Sequence, residues 1–195
     1  PWLTRVFTYP HATVRLHFWR VTAWEGEIGI TAPLEHSAVD WQKCGKAASV
    51  GPILPANDPI LKALALPTIM AITMGESEGA ERQLERLEGA LGKGLRLIQI
   101  RDKGWPGARR LGFAEAATRL ARPYGALVLV NDDEEIARRA GADGVHLSAA
   151  RLQACTQRPA FPWVGASCHS ALELQRAAEL GFDYALLGPV LPTPT

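Results

Sequence analysis

The chain has 195 residues, 47% of them hydrophobic and 21% charged, with a net charge of +1, which suits one or two globular domains. That balance excludes a basic nucleic-acid surface and an acidic solvating tail, and no run of about 18 apolar residues supplies a membrane span. The three cysteines, Cys44, Cys155 and Cys168, lie too far apart for a disulfide framework or a structural zinc site, so reduced thiols in a cytoplasmic protein are expected.

The chain opens Pro1-Trp2-Leu3-Thr4, with neither an initiator Met nor a signal pattern, as expected for a piece of a longer chain. Aromatic residues cluster early, at Trp2, Tyr9, Trp19, Trp24 and Trp41. From Thr13 to Ala23, apolar Val14, Leu16, Phe18 and Val21 alternate with polar residues, which predicts a half-buried antiparallel strand with a bulge at Trp19-Arg20. Gly45 to Pro59 is rich in Gly, Pro and Ala and reads as loop. Ile60 to Leu66 reads as a short helix closed by Pro67.

After Pro67 short apolar runs alternate with helical stretches. The strands are expected at Thr68–Thr73, Leu95–Arg101, Ala126–Asn131, Asp143–Leu147, Trp163–Ser167 and Asp183–Gly188. The helices are expected near Glu78–Leu91, Ala108–Arg122, Asp133–Ala140, Ala149–Ala154 and Ala171–Leu180, with Ser77 capping the first and Ser170 the last. Strands apolar on both faces belong to a covered parallel sheet. Two similar passages, R-A-G-A-D-G-V-H-L from Arg139 and E-L-G-F-D-Y-A-L-L from Glu179, each carry a Gly suited to a left-handed helix cap, Gly141 and Gly181. Equivalent units favour an α/β fold of the TIM-type (β/α)8 class, incomplete at about six strands, over a doubly wound sheet.

In such a barrel the chemistry sits at the C-terminal ends of the strands. Alternation puts Gln99, Arg101 and Lys103 on one face, where two cations and an amide suit a phosphate or diphosphate. Asn131 and Asp132 offer oxygen ligands for Mg²⁺, while one residue of Asn131-Asp132-Asp133 is also expected to cap the next helix. His146 lies inside its strand and reads as a core or supporting group. Ser167 and His169 fall at the rim, where an imidazole suits proton transfer, and Cys168 alternates away into packing. Thr193 and Thr195 sit on a proline-stiffened loop able to bond a phosphate.

Taken in order, Q-I-R-D-K, V-N-D, A-D-G-V-H-L, G-A-S-C-H-S and the closing G-P-V-L-P-T-P-T resemble the thiamine phosphate synthase and TenI family of barrels. The resemblance implies joining a pyrimidine diphosphate to a thiazole phosphate with release of pyrophosphate, using Mg²⁺. It implies that Gln99, Arg101, Lys103 and Asn131 bind the pyrimidine diphosphate. It also implies that Asp132 holds metal, and that Ser167, Thr193 and Thr195 contact phosphates. One departure stands out. Ser148-Ala149-Ala150-Arg151 replaces a Gly-Gln-x-Asp pattern, putting Arg151 where a second metal-binding Asp is expected. A cation there repels Mg²⁺. The TenI branch includes thiazole tautomerases, in which a His at the position of His169 acts as acid and base.

Residues 1–67 resemble the C-terminal part of a MutT-like Nudix hydrolase, through R-L-H-F-W-R-V-x-A-W-E-G-E and L-P-A-N-x-P-I. The resemblance implies that Asn57 reads an oxidised purine and that Glu35 falls near a late metal ligand. The Glu-rich Nudix box is absent from these residues. Residues 68–195 are then a synthase-like barrel fused to an 8-oxo-dGTP diphosphatase. In the alternative reading the hydrolase is the working activity and the barrel an accessory phosphate-binding domain. The expected partners are small phosphorylated substrates, including a nucleoside triphosphate for the first domain, with no nucleic acid and no membrane. A homo-oligomer is left open. Because six strands do not close an eight-stranded barrel, the isolated chain is expected to be inactive.

Overall fold

The computed structural model describes residues 1–43, 46–189 and 191, so Cys44 lies outside the described residues. The chain divides into two compact units, Pro1–Ala65 and Leu66–Thr195.

The first unit contains a hairpin and a helix. Strand β1 (Leu3–Tyr9) pairs antiparallel with β2 (Ala12–Phe18), from Leu3 opposite Phe18 to Tyr9 opposite Ala12. Alternate residues of the hairpin are half-buried, as the period of two requires. β2 stops at Phe18 rather than bulging through Trp19-Arg20 to Ala23. The ladder ends where β1 begins, and among the described residues no strand lies opposite beyond Phe18. Helix α1 (Asp58–Ala65) follows, two residues earlier than its apolar run suggests, because Asn57 already accepts from Ile60 and Leu61.

The second unit is a six-stranded sheet in strictly sequential order, β3 to β8, with every neighbouring pair parallel. A doubly wound sheet would reverse its strand order at a switch point, and this one does not. The strands are β3 (Ala71–Ile72), β4 (Leu97–Ile100), β5 (Leu127–Asn131), β6 (Gly144–Leu147), β7 (Trp163–Cys168) and β8 (Tyr184–Leu187). The helices that follow them are α2 (Gly75–Glu78) and α3 (Ala80–Gly92), α4 (Gly107–Ala121), α5 (Glu134–Arg139), α6 (Ala149–Ala154) and α7 (Ala171–Glu179). The expected half-barrel of β/α units is therefore present.

Three local expectations change. β3 shrinks to two residues because, as an edge strand, it has only β4 to pair with. The helix expected from Glu78 is two helices that part at Gly79. Ser77 therefore lies inside α2 and donates to the Met74 carbonyl at 2.9 Å instead of capping. Ser170 does cap α7, accepting from Glu173 N–H at 3.2 Å, and Asp133 caps α5. Gly141 and Gly181 take the left-handed φ of +63° and +71° that ends a helix before a strand.

The register sorts the sheet residues into two faces. Ile98, Ile100, Val128, Val130, Val145, Leu147, Val164, Ala166 and Cys168 pack under the helices against Leu87, Leu91, Phe113, Ile136 and Leu152. Cys168 is thus packing, as its alternation predicts. The concave face carries Leu97 and Leu129 low down. Gln99, Asn131, His146 and Ser167 lie toward the strand C-termini, and Tyr184, the first residue of β8, stands level with His146 through Gly165. An apolar sandwich on one side and polar groups on the other leave the concave rim as the place for chemistry.

Candidate active site at the strand C-termini

Gln99 is 2% exposed and donates through Nε2 to Asn131 Oδ1 at 2.8 Å. The outer atoms of this amide pair, Gln99 Oε1 and Asn131 Nδ2, are buried without a hydrogen-bond partner. Each such group costs about 1–3 kcal/mol until something satisfies it. The pair therefore offers one acceptor and one donor to a flat polar ligand.

Arg101 and Lys103 do not continue the Gln99 face. β4 ends at Ile100, and beyond it the chain turns, leaving both cations exposed while Asp102 between them is buried. Alternation holds only while a ladder lasts. Lys103 Nζ lies 3.2 Å from Asp132 Oδ2, with side chains 52% and 22% exposed, a geometry that contributes little stability but fixes where the ammonium sits.

Asp132 closes β5 with φ of +58°, an uncommon conformation for a residue with a β-carbon. Its Oδ1 accepts Ser148 N–H at 2.6 Å, joining the ends of β5 and β6. Burial opposes its ionisation, but the Ser148 N–H and Lys103 outweigh that and hold the carboxyl below its ordinary value. Asp133 faces the other way, capping Ile136 N–H at 2.9 Å and pairing with Arg110 at 2.8 Å. Asp133 is therefore the residue of Asn131-Asp132-Asp133 that caps the next helix.

Further along the same concave face His146 is fully buried, with Nε2 2.9 Å from Ser167 Oγ and Nδ1 2.8 Å from the Tyr184 hydroxyl. Burial drives the imidazole down to about 4, so it is neutral at pH 7. Burial also raises the Tyr184 hydroxyl, which stays protonated. His169 sits at the rim, exposed, and its Nδ1–H donates to the Gly188 carbonyl. That bond selects the tautomer whose Nε2 carries the lone pair.

Arg151 is exposed as the third residue of α6. Glu35 and Asn57 belong to the first unit. Glu35 is exposed in a turn and Asn57 immediately precedes α1. Thr193 and Thr195 lie outside the described residues. Among the described residues no three His, Cys, Asp or Glu side chains gather at metal-holding distance, and no helix is long and apolar enough to cross a membrane. Sequence reasoning passed over Tyr184, Thr73 and Asp102. Tyr184 is found only through its register opposite Gly165, and the other two only through contacts between loops.

The family model described as thiamine monophosphate synthase matches residues 69–195. A thiamine-phosphate synthase of Thiobacillus denitrificans is 41% identical over 125 residues, 62% of this chain and 59% of the relative. That of Chromobacterium violaceum is 46% identical over 110 residues, 54% of this chain and 53% of the relative. Among solved structures, the thiamine phosphate pyrophosphorylase from Pyrococcus furiosus has a TM-score of 0.53 at 28% identity, covering 64% of this chain and 61% of that one. The chain spans between half and two thirds of the length of these relatives. With its sequential parallel strands and a polar rim at their C-terminal ends, the chain belongs to the thiamine monophosphate synthase family.

Proposed function

We propose that the second unit works as a thiamine phosphate synthase, binding a pyrimidine diphosphate and a thiazole phosphate at the rim of the half-barrel. The observation that carries this reading is the amide pair of Gln99 and Asn131, with an unpaired acceptor and donor, set beside the exposed Arg101 and Lys103. An aminopyrimidine ring presents the complementary donor and acceptor, and its diphosphate suits the two cations. In the reaction the thiazole nitrogen forms a C–N bond to the pyrimidine methylene as the C–O bond to diphosphate breaks. The electron pair leaves with pyrophosphate. Arg101 and Lys103 stabilise that charge as it develops. Ser167 is positioned by His146 to donate to the thiazole phosphate.

Asp132 is a half-buried carboxylate of this rim, and one carboxylate plus diphosphate oxygens is a donor set that Mg²⁺ accepts. The ion would supply charge neutralisation on the diphosphate. Arg151 adds a cation on α6 where the resemblance expects a second carboxylate, so in this proposal Asp132 serves without that partner. The test is a synthase assay on the full chain, with calorimetric titration of the pyrimidine diphosphate. Arg101→Ala and Asn131→Ala should each weaken binding about tenfold or more. Undiminished binding in both would remove the reading.

A tautomerase activity is a second reading, favoured by the bond that leaves His169 Nε2 as a base. For the first unit we carry a MutT-like nucleotide pyrophosphohydrolase as a proposal, supported by the β1–β2 hairpin and by Asn57 at the entry to α1. Because the Nudix box is absent from these residues, the test is binding: 8-oxo-dGTP binding that weakens in Asn57→Ala would support it, and no binding of 8-oxo-dGTP by the full chain would end it. The family match lies on the barrel, so the barrel is read as a working unit rather than an accessory one.

A further inference from the structure

Beyond Ile100 no ladder holds Arg101, Asp102 and Lys103. Long cationic side chains on a loose loop would lose rotamer and backbone freedom on gripping an anion. This loop, however, is tied. Arg101 N–H donates to Thr73 Oγ1 at 3.0 Å, and the Thr73 hydroxyl donates in turn to Asp102 Oδ2. Asp102 Oδ1 accepts Glu76 N–H at 3.1 Å, and Glu76 Oε1 reaches over to accept Gly104 N–H. Trp105 closes so tightly on Gly75 that a β-carbon there would lie 2.5 Å from the indole.

Asp102 is 2% exposed although both its neighbours are exposed cations. A buried carboxylate is costly unless its oxygens are bonded. Here both are, by a hydroxyl and a peptide N–H. The carboxylate therefore ties down the backbone of the loop without using up the charge of Arg101 or Lys103.

We propose that Asp102 is a positioning residue. Through Thr73 and Glu76 it clamps the loop after β3 onto the segment after β4, and so fixes where Arg101 and Lys103 meet a diphosphate. The proposal rests on the reading that those two cations grip the diphosphate.

The test titrates the full chain with inorganic pyrophosphate by calorimetry and records the melting midpoint of every variant. Thr73→Val keeps the side-chain volume but removes the hydroxyl shared by Arg101 N–H and Asp102, and should raise the dissociation constant about tenfold. Asp102→Asn turns one acceptor into a donor facing a donor and should cost at least as much affinity. Thr73→Ser should restore the hydroxyl and with it the affinity. Wild-type affinity in Thr73→Val and Asp102→Asn, with Arg101→Ala weakened, overturns the proposal. So does a loss in Thr73→Val that Thr73→Ser shares and that follows the melting midpoint, since the clamp would then only stabilise. Wild-type affinity in the double variant Arg101→Ala/Lys103→Ala removes the underlying diphosphate reading instead. Should Asp102→Asn fail to fold, the Thr73 pair decides alone.

Discussion

Tyr184 reaches His146 across a strand that has no side chain in the way. Gly165 lies between them in register, and the Tyr184 hydroxyl comes to 2.8 Å from His146 Nδ1. A β-carbon on Gly165 would fall 2.0 Å from Tyr184 Cζ. The glycine is thus required by the ring that lies over it. The ring in turn gives a buried imidazole its second partner, the first being Ser167.

Gly165→Ala should therefore expel the ring and strand His146, at a cost of about 2–4 kcal/mol from overpacking plus a lost buried hydrogen bond. Urea denaturation measures it. In a Tyr184→Ala background the same substitution should cost little, because the clash is gone. An equal cost in both backgrounds would show that the ring is not the reason for the glycine.

His146 links this cluster to pH. Its folded value of about 4 lies below the unfolded 6.5, so the unfolded chain binds the extra proton first. The stability that the neutral imidazole contributes is complete above pH 6.5 and is lost as pH falls toward 4. The full loss is on the order of 3 kcal/mol. Denaturation at a series of pH values should show that slope in the wild type and not in His146→Asn. A slope unchanged by the substitution would assign it to other groups.

The sequential β/α order was legible because each unit signals itself locally, through an apolar run, a capping Ser170 or Asp133, and a closing Gly141 or Gly181. The inner position of Gln99 and the packing role of Cys168 followed from alternation within strands. Where alternation was carried past Ile100 it failed, since the chain turns there and buries Asp102 between two cations. The Tyr184–His146 contact could not be read at all. It depends on register between strands that lie far apart in the sequence.

Asp132 at φ +58° allows a sharper backbone test. Asn tolerates this conformation and Ala does not, so Asp132→Ala should be less stable than Asp132→Asn by about 1 kcal/mol. Asp132→Gly should recover most of that difference. The exposed Lys103 pair adds little to any of these values. The carboxylate itself contributes above the ordinary carboxylate range, and that contribution should fade as pH falls through its depressed folded value. Equal stability of the Ala and Gly variants would show that the backbone conformation carries no strain.

His169 separates the two chemistries proposed for the rim. Its Nδ1–H is held by the Gly188 carbonyl, so Nε2 alone is available to carry a proton. His169→Asn places an amide N–H where Nδ1–H stood, keeping the Gly188 bond while deleting Nε2. Joining the pyrimidine to the thiazole exchanges a C–O for a C–N bond and moves no proton, so synthase turnover in this variant should stay within about threefold of the parent. Tautomerisation moves a proton on the thiazole ring, so any such activity should fall about 10²–10⁴-fold. Both rates are measured on the same full-chain preparation, with the melting midpoint as the control for folding. Tautomerase activity that survives in His169→Asn would deny Nε2 its role. A synthase rate that falls as far as the tautomerase rate would place His169 in substrate binding instead.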